Sequence, residues 1–161
     1  MTIQVGDRLP QTTFRVMSAE GPAPKTTDDV FKGRKVVLIG VPGAFTPTCH
    51  RNHLPGFVTH ADAIKAKGVD AIAVTAVNDV FVMDAWAKAA DANGAVEFLA
   101  DGNGDFAKAV GLALDGSGFG LGTRSQRYSM IVDDGVVQAV NVEDAPSKAD
   151  VSGAEALLKQ L

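Results

Sequence analysis

Two apolar runs constrain the fold of this chain more than any other feature of its sequence. Residues 35–41 and 69–77 are dominated by Val, Ile, Leu and Ala, which is typical of strands buried on both faces of a sheet. A helical pattern follows each run, at about residues 46–66 and at residues 79–91. Strands that alternate with helices predict an α/β fold, with a central sheet that is largely parallel and flanked by helices.

Turn and cap signals complete the expected order of elements. Asp133-Asp134-Gly135 lies between two apolar runs and is typical of a hairpin, which adds antiparallel pairing and makes the expected sheet mixed. We expect Gly68 and Asn93-Gly94 to follow the two long helices, and Ser147 to cap the last one. The remaining predicted elements are a strand at 96–99, a helix at 105–110, an irregular glycine-rich stretch at 111–122, strands at 128–132 and 136–142, and a closing helix at 147–161.

Size and charge limit the classes of function. A chain of 161 residues without internal repeats or linker-like segments fits a single domain spanning residues 1–161. The net charge is -4, and acidic and basic residues are interspersed along the chain. This distribution gives no reason to expect a nucleic-acid partner. No apolar stretch reaches the length that spans a bilayer, and the first residues show no secretion signal. We therefore expect a cytoplasmic protein that does not insert into a membrane.

Cys49 is the single cysteine of the sequence. An internal disulfide and an all-cysteine metal site are therefore excluded within one chain. Two interpretations remain: a lone cysteine is often a small buried hydrophobe, and it can also be a reactive thiol. The residues around it decide between them.

The segment before Cys49 favours a reactive thiol. Thr46 is a suitable N-cap and Pro47 is favoured at the first helical position, which places Cys49 in the first turn of a helix. Free N–H groups and the helix dipole stabilise a negative charge there. Because the thiolate is the nucleophile, this position increases the reactive fraction of a thiol.

A nearby cation would stabilise the thiolate further. The candidates are Arg51, Arg124, Arg127, His50 and His53. Arg127 stands at the start of a predicted strand, from which it can project toward the start of a helix. Arginine keeps its charge and offers a planar fork of donors, although any single arginine is more often a solvated surface residue.

The chain resembles the peroxiredoxins. The string from Pro42 to Cys49, PGAFTPTC, is similar to the family's P-x-x-x-T-x-x-C motif. Further segments, together with that motif, resemble the type II, peroxiredoxin-5-like subfamily and extend the resemblance over essentially the whole chain. They are Val5-Gly6-Asp7, His53-Leu54-Pro55-Gly56-Phe57, Val77-Asn78-Asp79, Leu99-Ala100-Asp101 and Arg127-Tyr128-Ser129-Met130.

The resemblance implies a thioredoxin-like fold and roles for four positions. Cys49 matches the peroxidatic cysteine, and Thr46 matches the threonine whose hydroxyl holds the peroxide. Pro42 matches the proline that shields the site from water, and Arg127 matches the arginine that stabilises the thiolate. Backbone N–H groups of Thr48 and Cys49 would add donors for the developing charge. No cofactor and no metal are implied.

The expected reaction is reduction of hydrogen peroxide and organic hydroperoxides, in antioxidant defence and redox homeostasis. Peroxide would convert Cys49 to a sulfenic acid. Some relatives carry a second, resolving cysteine, which this sequence lacks, so an external thiol must regenerate Cys49. Glutathione with a glutaredoxin is the first candidate, and thioredoxin is the second. Phe45, Phe119 and Leu121 are expected to form an apolar rim at the site, which suits the homodimer common in the subfamily.

Other interpretations receive less support. His50, His53 and His60 could indicate a Cys-His hydrolase or a metal site. One cysteine and two histidines without a nearby carboxylate make a poor zinc set, so each is expected to be a locally satisfied histidine. Phe81 and Trp86 are expected to pack in the core. A thioredoxin-like interaction module is disfavoured because Thr46 and Arg127 are both present. A redox sensor or holdase that uses the same cysteine stays open.

Overall fold

A computed structural model describes residues 2–92 and 94–161, and seven strands of this part of the chain form one mixed sheet. The strands are β1 (Thr13–Ser18), β2 (Gly21–Thr26), β3 (Lys35–Gly40), β4 (Ala71–Ala76), β5 (Glu97–Ala100), β8 (Tyr128–Asp133) and β9 (Val136–Val142). Their order across the sheet is β2-β1-β5-β4-β3-β8-β9. The pairs β3/β4 and β4/β5 are parallel and the other pairs are antiparallel, which confirms the predicted mixed α/β sheet. A small separate ladder joins β6 (Ala113–Asp115) to β7 (Thr123–Ser125).

Helices cover both faces of this sheet. They are α1 (Thr27–Phe31), α2 (Leu54–Thr59), α3 (Ala61–Lys65), α4 (Val80–Ala89), α5 (Asp105–Ala109) and α6 (Ala154–Leu158). One core cluster joins the β3 residues Val37 and Ile39 to Cys49, Trp86 and Leu157. The helical segment that contains Cys49 therefore packs on the same face of the sheet as α4 and α6. On the opposite face, α1 and α5 pack against the alternate residues of β3. This alternation follows from the period of two along a strand.

Gly40 is the last residue of β3 and lies at the end of the sheet's strands where the site is found. It pairs with Thr75 of β4 and with Tyr128 of β8. A Cβ atom at Gly40 would overlap the Tyr128 ring, which lies directly over the glycine. A glycine is therefore required in this otherwise apolar strand, because the close approach of the ring leaves no room for a side chain.

Most predicted strands and turns are confirmed. The hairpin turn has Asp134 at φ 50° and Gly135 at φ 79°, the left-handed values that a tight two-residue turn requires. The predicted turn at Asn93-Gly94 lies partly outside the described residues, because Asn93 is not among them. The sequence interpretation missed β1, β2 and α1. Pro22 and Pro24 conceal β2, and proline is tolerated there because β2 is an edge strand.

Two predicted helices and one stretch that was expected to be irregular are wrong in part. The helix expected over residues 46–66 is divided by a π-helical turn at Cys49–His53 and again at His60. In that π turn the Leu54 N–H donates to the Cys49 carbonyl, one residue further back than in an α-helix, just before Pro55 interrupts the ladder. The stretch expected to be irregular, residues 111–122, contains β6 and a 3₁₀ turn at Ser117–Phe119.

The closing helix begins later than predicted. Its N-cap is Gly153, not Ser147, and residues 143–152 form an irregular segment that lies against the site. No helix in the described part of the chain is both long and apolar enough to cross a bilayer. Across residues 2–92 and 94–161, no cluster of His, Cys, Asp and Glu side chains is arranged to hold a metal ion.

Candidate active site

Cys49 lies in the first turn of the helix that follows β3, as predicted. Pro47 and Thr48 are already helical, and the His50 N–H donates to the Thr46 carbonyl at 2.9 Å. Thr46 therefore occupies the N-cap position, but its hydroxyl does not cap the helix. It lies 2.7 Å from the Gly43 carbonyl and 2.9 Å from Cys49 Sγ. The side chain that was expected to cap the helix is instead turned toward the thiol.

Two polar groups meet the sulfur of Cys49. Thr46 Oγ1 lies 2.9 Å from Sγ, and Nη2 of Arg127 donates to Sγ, also at 2.9 Å. The Cys49 side chain is fully buried within this chain. The structure therefore brings together three of the four residues singled out by the resemblance, in direct contact around one sulfur atom.

Arg127 is held on three sides. In addition to Nη2 on the sulfur, Nη1 lies 3.0 Å from Nδ1 of His53 and Nε donates to the Pro146 carbonyl at 3.0 Å. The residue is only 2% exposed. Among residues 2–92 and 94–161, no carboxylate lies within ion-pair distance of it. A buried cation without a counter-charge is costly, and the Cys49 sulfur is in direct contact with this one.

His53 contacts the second terminal nitrogen of the Arg127 guanidinium. Its Nε2 lies 2.9 Å from the Ser152 carbonyl, which can only accept, so Nε2 carries the proton and Nδ1 accepts from Arg127. Burial lowers the pKa of His53 to about 4, and the charge of Arg127 acts in the same direction, against opposing effects of the Ser152 carbonyl and Glu143. The imidazole is therefore neutral near pH 7. The sequence had suggested His53 as a candidate cation for the thiolate and as a locally satisfied histidine. The neutral ring is not such a cation, and its contact with Arg127 was not predicted.

One signal in the sequence could have indicated His53. It follows Cys49 by four residues, and residues at that spacing lie on the same side of a helix. A side chain on the cysteine's own face is placed to contact whatever stabilises the thiolate. His50 and His60 lie elsewhere: His50 Nδ1 accepts from Trp86 Nε1 at 3.1 Å, and His60 Nδ1 lies 2.9 Å from the Gly56 carbonyl.

An irregular segment over residues 143–152, here called the strap, encloses the site. The Glu143 carboxylate accepts from both the backbone N–H and the hydroxyl of Ser152, at 2.7 and 2.6 Å, and so closes the segment on itself. Strap carbonyls then contact the site: Pro146 accepts from Arg127, Ser147 from the Thr48 hydroxyl at 3.2 Å, and Ser152 from His53. The Ser147 carbonyl and the Ser152 N–H and carbonyl are thereby engaged outside a helical ladder, and residues 147–152 are not helical.

The remaining residues singled out from the sequence lie around this centre. Pro42 is buried in the loop between β3 and the helix, directly before Gly43. Arg124 does not contact the sulfur: its Nε donates to the Leu121 carbonyl at 3.0 Å and its Nη1 to the Val77 carbonyl at 3.4 Å. Arg51 is exposed. Of the candidate cations, the structure places Arg127 against Cys49.

Several large apolar side chains are exposed. Phe45, Phe119 and Leu121, the predicted rim, are 45%, 84% and 37% exposed. Trp86 is buried, as predicted. Phe81 is 65% exposed, so the prediction that it packs in the core is wrong. Phe81 is the second residue of α4 and lies on the side of that helix that faces away from the sheet.

The sequence matches the model of the Redoxin family over residues 4–158. It is 47% identical to Peroxiredoxin-2C of Oryza sativa subsp. japonica over 160 residues, which cover 99% of this chain and 98% of the relative. The chain belongs to the peroxiredoxins. The chloroplastic Peroxiredoxin-2E of Arabidopsis thaliana is 44% identical, over 99% of this chain and 70% of the relative.

Solved structures agree with this assignment. Reduced Prx3 from Vibrio vulnificus in complex with hydrogen peroxide superposes with a TM-score of 0.93 and is 50% identical, over 99% of each chain. Peroxiredoxin 5 from Alvinella pompejana gives a TM-score of 0.85 at 37% identity, over 98% of this chain and 96% of that one. The thioredoxin-like fold and the type II resemblance are thus confirmed. This peroxiredoxin is a thiol peroxidase, an enzyme that reduces peroxide at the expense of a thiol.

Proposed function

We propose that Cys49 is the peroxidatic cysteine and that an external thiol regenerates it. The observation that supports this assignment is that Sγ lies 2.9 Å from both Thr46 Oγ1 and Arg127 Nη2. A hydroxyl and a fixed cation on one buried sulfur can hold a peroxide and stabilise negative charge at the same place. Pro42, buried in the same loop, shields the site from water.

The oxidation step follows from this geometry. The Cys49 thiolate attacks one peroxide oxygen, so that an S–O bond forms as the O–O bond breaks. The sulfur loses two electrons, and the departing hydroxide or alkoxide takes a proton, leaving a sulfenic acid and water or an alcohol. Arg127 and the N–H groups of Thr48 and Cys49 stabilise the developing charge. The complex of the Vibrio vulnificus relative with hydrogen peroxide supports hydrogen peroxide as a substrate.

Regeneration requires two external thiols. The first attacks the sulfenic sulfur, releases water and forms a mixed disulfide; the second releases the Cys49 thiol and leaves an external disulfide. Glutathione with a glutaredoxin is our first assignment and thioredoxin our second. Burial of Cys49 supports this order, because a slender tripeptide needs less rearrangement to reach the sulfur than a folded protein does.

The reductant can be assigned by steady-state peroxide consumption. The wild type is assayed with glutathione plus glutaredoxin, with thioredoxin plus its reductase, and with glutathione alone, and Cys49→Ser is the matched inactive control. Faster turnover with thioredoxin than with glutathione and glutaredoxin would reverse our order. A single turnover with every reductant would instead indicate a redox sensor.

We further propose a homodimer in the cytoplasm. The exposed side chains of the predicted rim, Phe45, Phe119 and Leu121, support association through this part of the surface, since exposed large apolar residues are typical of interfaces. An unpaired cysteine that depends on reduced thiols suits a reducing compartment. Sedimentation of wild type and Phe119→Lys tests the dimer: the variant should be a monomer, with Phe81→Lys, on α4, as the control. Imaging of the tagged full chain tests the location.

A further inference from the structure

Asn78 contacts the active-site loop from the neighbouring strand. It follows the end of β4 by two residues, and its Oδ1 accepts a hydrogen bond from the Ala44 N–H at 2.8 Å. That N–H belongs to the same peptide unit as the Gly43 carbonyl. The Gly43 carbonyl in turn accepts from the Thr46 hydroxyl at 2.7 Å. Because a trans peptide is planar and its N–H and C=O point in opposite directions, Asn78 sets the direction of the Gly43 carbonyl.

The direction of that carbonyl decides how the Thr46 hydroxyl is used. The hydroxyl has one proton and two neighbours within hydrogen-bond distance, the Gly43 oxygen and Cys49 Sγ. A carbonyl oxygen can only accept. In the resting site the hydroxyl proton can go to the Cys49 sulfur. When a peroxide enters, the Gly43 carbonyl can take that proton instead, so that the lone pairs of Oγ1 face the peroxide. A peroxide brings an O–H of its own, and it needs an acceptor at this position.

Side chains crowd the loop at Gly43 as well. A Cβ atom on Gly43 would lie 3.0 Å from Arg124 Nη1 and 3.1 Å from Thr46 Cγ2, so the peptide is packed closely between them. Phe45, two residues further on, has φ 64°, a left-handed value that a bulky residue rarely adopts. The local preference of the chain therefore does not maintain this turn, and outside contacts must hold it.

We propose that Asn78 is a positioning residue for the peroxidase reaction. It fixes the Gly43–Ala44 peptide so that the Thr46 hydroxyl donates to Gly43 and accepts from the incoming peroxide. This inference rests on the proposed role of Thr46 at the site. It assigns no direct contact between Asn78 and the reacting atoms.

The test separates peroxide attack from simple thiolate reactivity. Asn78→Leu removes the acceptor at similar volume, Asn78→Asp keeps an acceptor, and Asn103→Leu alters an exposed asparagine as control. Each variant is assayed for the second-order rate of Cys49 oxidation by hydrogen peroxide and for its alkylation by iodoacetamide, which brings no O–H. In Asn78→Leu we expect oxidation to slow by about tenfold and alkylation to change by less than about threefold. Asn78→Asp and the control should oxidise within about threefold of wild type.

The Thr46→Val background completes the design. If Asn78 acts through Thr46, adding Asn78→Leu to Thr46→Val should slow oxidation no further. A further loss in that background, an equal loss of oxidation and alkylation, or Asn78→Asp as slow as Asn78→Leu would each overturn the inference and leave the role of Thr46 standing. An unchanged oxidation rate in Thr46→Val alone would overturn both. If Asn78→Leu does not fold, Asn78→Ala takes its place in the same comparisons.

Discussion

The guanidinium of Arg127 donates to Cys49 Sγ at 2.9 Å while it is 98% buried, and the sulfur is the group placed to carry its counter-charge. The thiolate gains a fixed cation, and the buried cation gains an anion that no carboxylate of the described chain supplies at ion-pair distance. Reactivity and burial are therefore linked through one contact.

Replacement of Cys49 by serine should abolish peroxide consumption. A hydroxyl is not ionised at neutral pH and cannot replace the thiolate as nucleophile, while its similar volume leaves the core packing intact. Peroxide loss should fall to the background rate for hydrogen peroxide and organic hydroperoxides, with an unchanged circular dichroism spectrum. Turnover near the wild-type rate in this variant would exclude the mechanism proposed above.

Replacement of Arg127 by glutamine should slow peroxide attack by about a hundredfold, the usual effect of removing one preorganised donor from a site of developing charge. Alkylation of Cys49 should also slow, because a cation no longer contacts the sulfur. Arg51→Gln is the matched control, because Arg51 is exposed. Arg124→Gln tests the alternative candidate, although Arg124 donates to carbonyl groups and not to the sulfur. If Arg124→Gln proved the slower enzyme, the stabilising role would belong to Arg124.

His53 should make the stability of the protein depend on pH. Its pKa is about 4 in the folded chain and is 6.5 in its ordinary state, so between these values the unfolded chain binds the additional proton. The free energy of unfolding should therefore decrease as the pH falls from 6.5 toward 4, by about 3 kcal/mol from this residue. Below that window the contribution should stay constant.

Denaturant unfolding at pH 7 and at pH 4.5 measures this effect. His53→Gln should lose this part of the pH dependence, whereas His60→Gln should keep it, because His60 is only partly buried. Equal pH dependence in wild type and His53→Gln would show that other groups dominate. Loss of Arg127 positioning in His53→Gln should also slow oxidation, and this is measured in the same preparation.

Oxidised Cys49 should persist until a thiol from outside captures it. Intact-mass measurement after one equivalent of peroxide should show one added oxygen, and then the mass of one bound glutathione when that thiol is supplied. Excess peroxide without reductant should add further oxygens. A disulfide-linked dimer as the main product would contradict this expectation, because it would make the second subunit's Cys49 the resolving thiol.

Local sequence was sufficient to predict where Cys49 lies, whereas Arg127 was assigned to it through the family resemblance. Thr46, Pro47 and Cys49 are neighbours in the chain, so cap and helix preferences place the thiol correctly. The contacts that support the centre were not predictable in the same way. His53 lies 74 residues from Arg127 and 99 from Ser152, and Asn78 lies 34 from Ala44. Such pairs depend on strand order, which no local pattern specifies.

The errors in the fold have the same origin. Ser147 has the residue type of an N-cap, yet its carbonyl accepts from the Thr48 hydroxyl. The last helix, α6, begins only at Ala154, with Gly153 as its N-cap. Pro22 and Pro24 argue locally against a strand, and only the edge position of β2 permits them. In each case a tertiary contact overrides a local preference.

The way in which the strap contacts the site determines which mutations the enzyme can tolerate there. It contacts the site through the main-chain oxygens of Pro146, Ser147 and Ser152, and every residue type carries that atom. Substitutions of side chains along the strap should therefore have little effect on turnover, provided that Glu143 and Ser152, which hydrogen-bond to each other, are kept. The length of the strap is constrained, because one residue added or removed would shift some of these three oxygens relative to the others. A saturation library should find the strap permissive to substitution and intolerant of insertion.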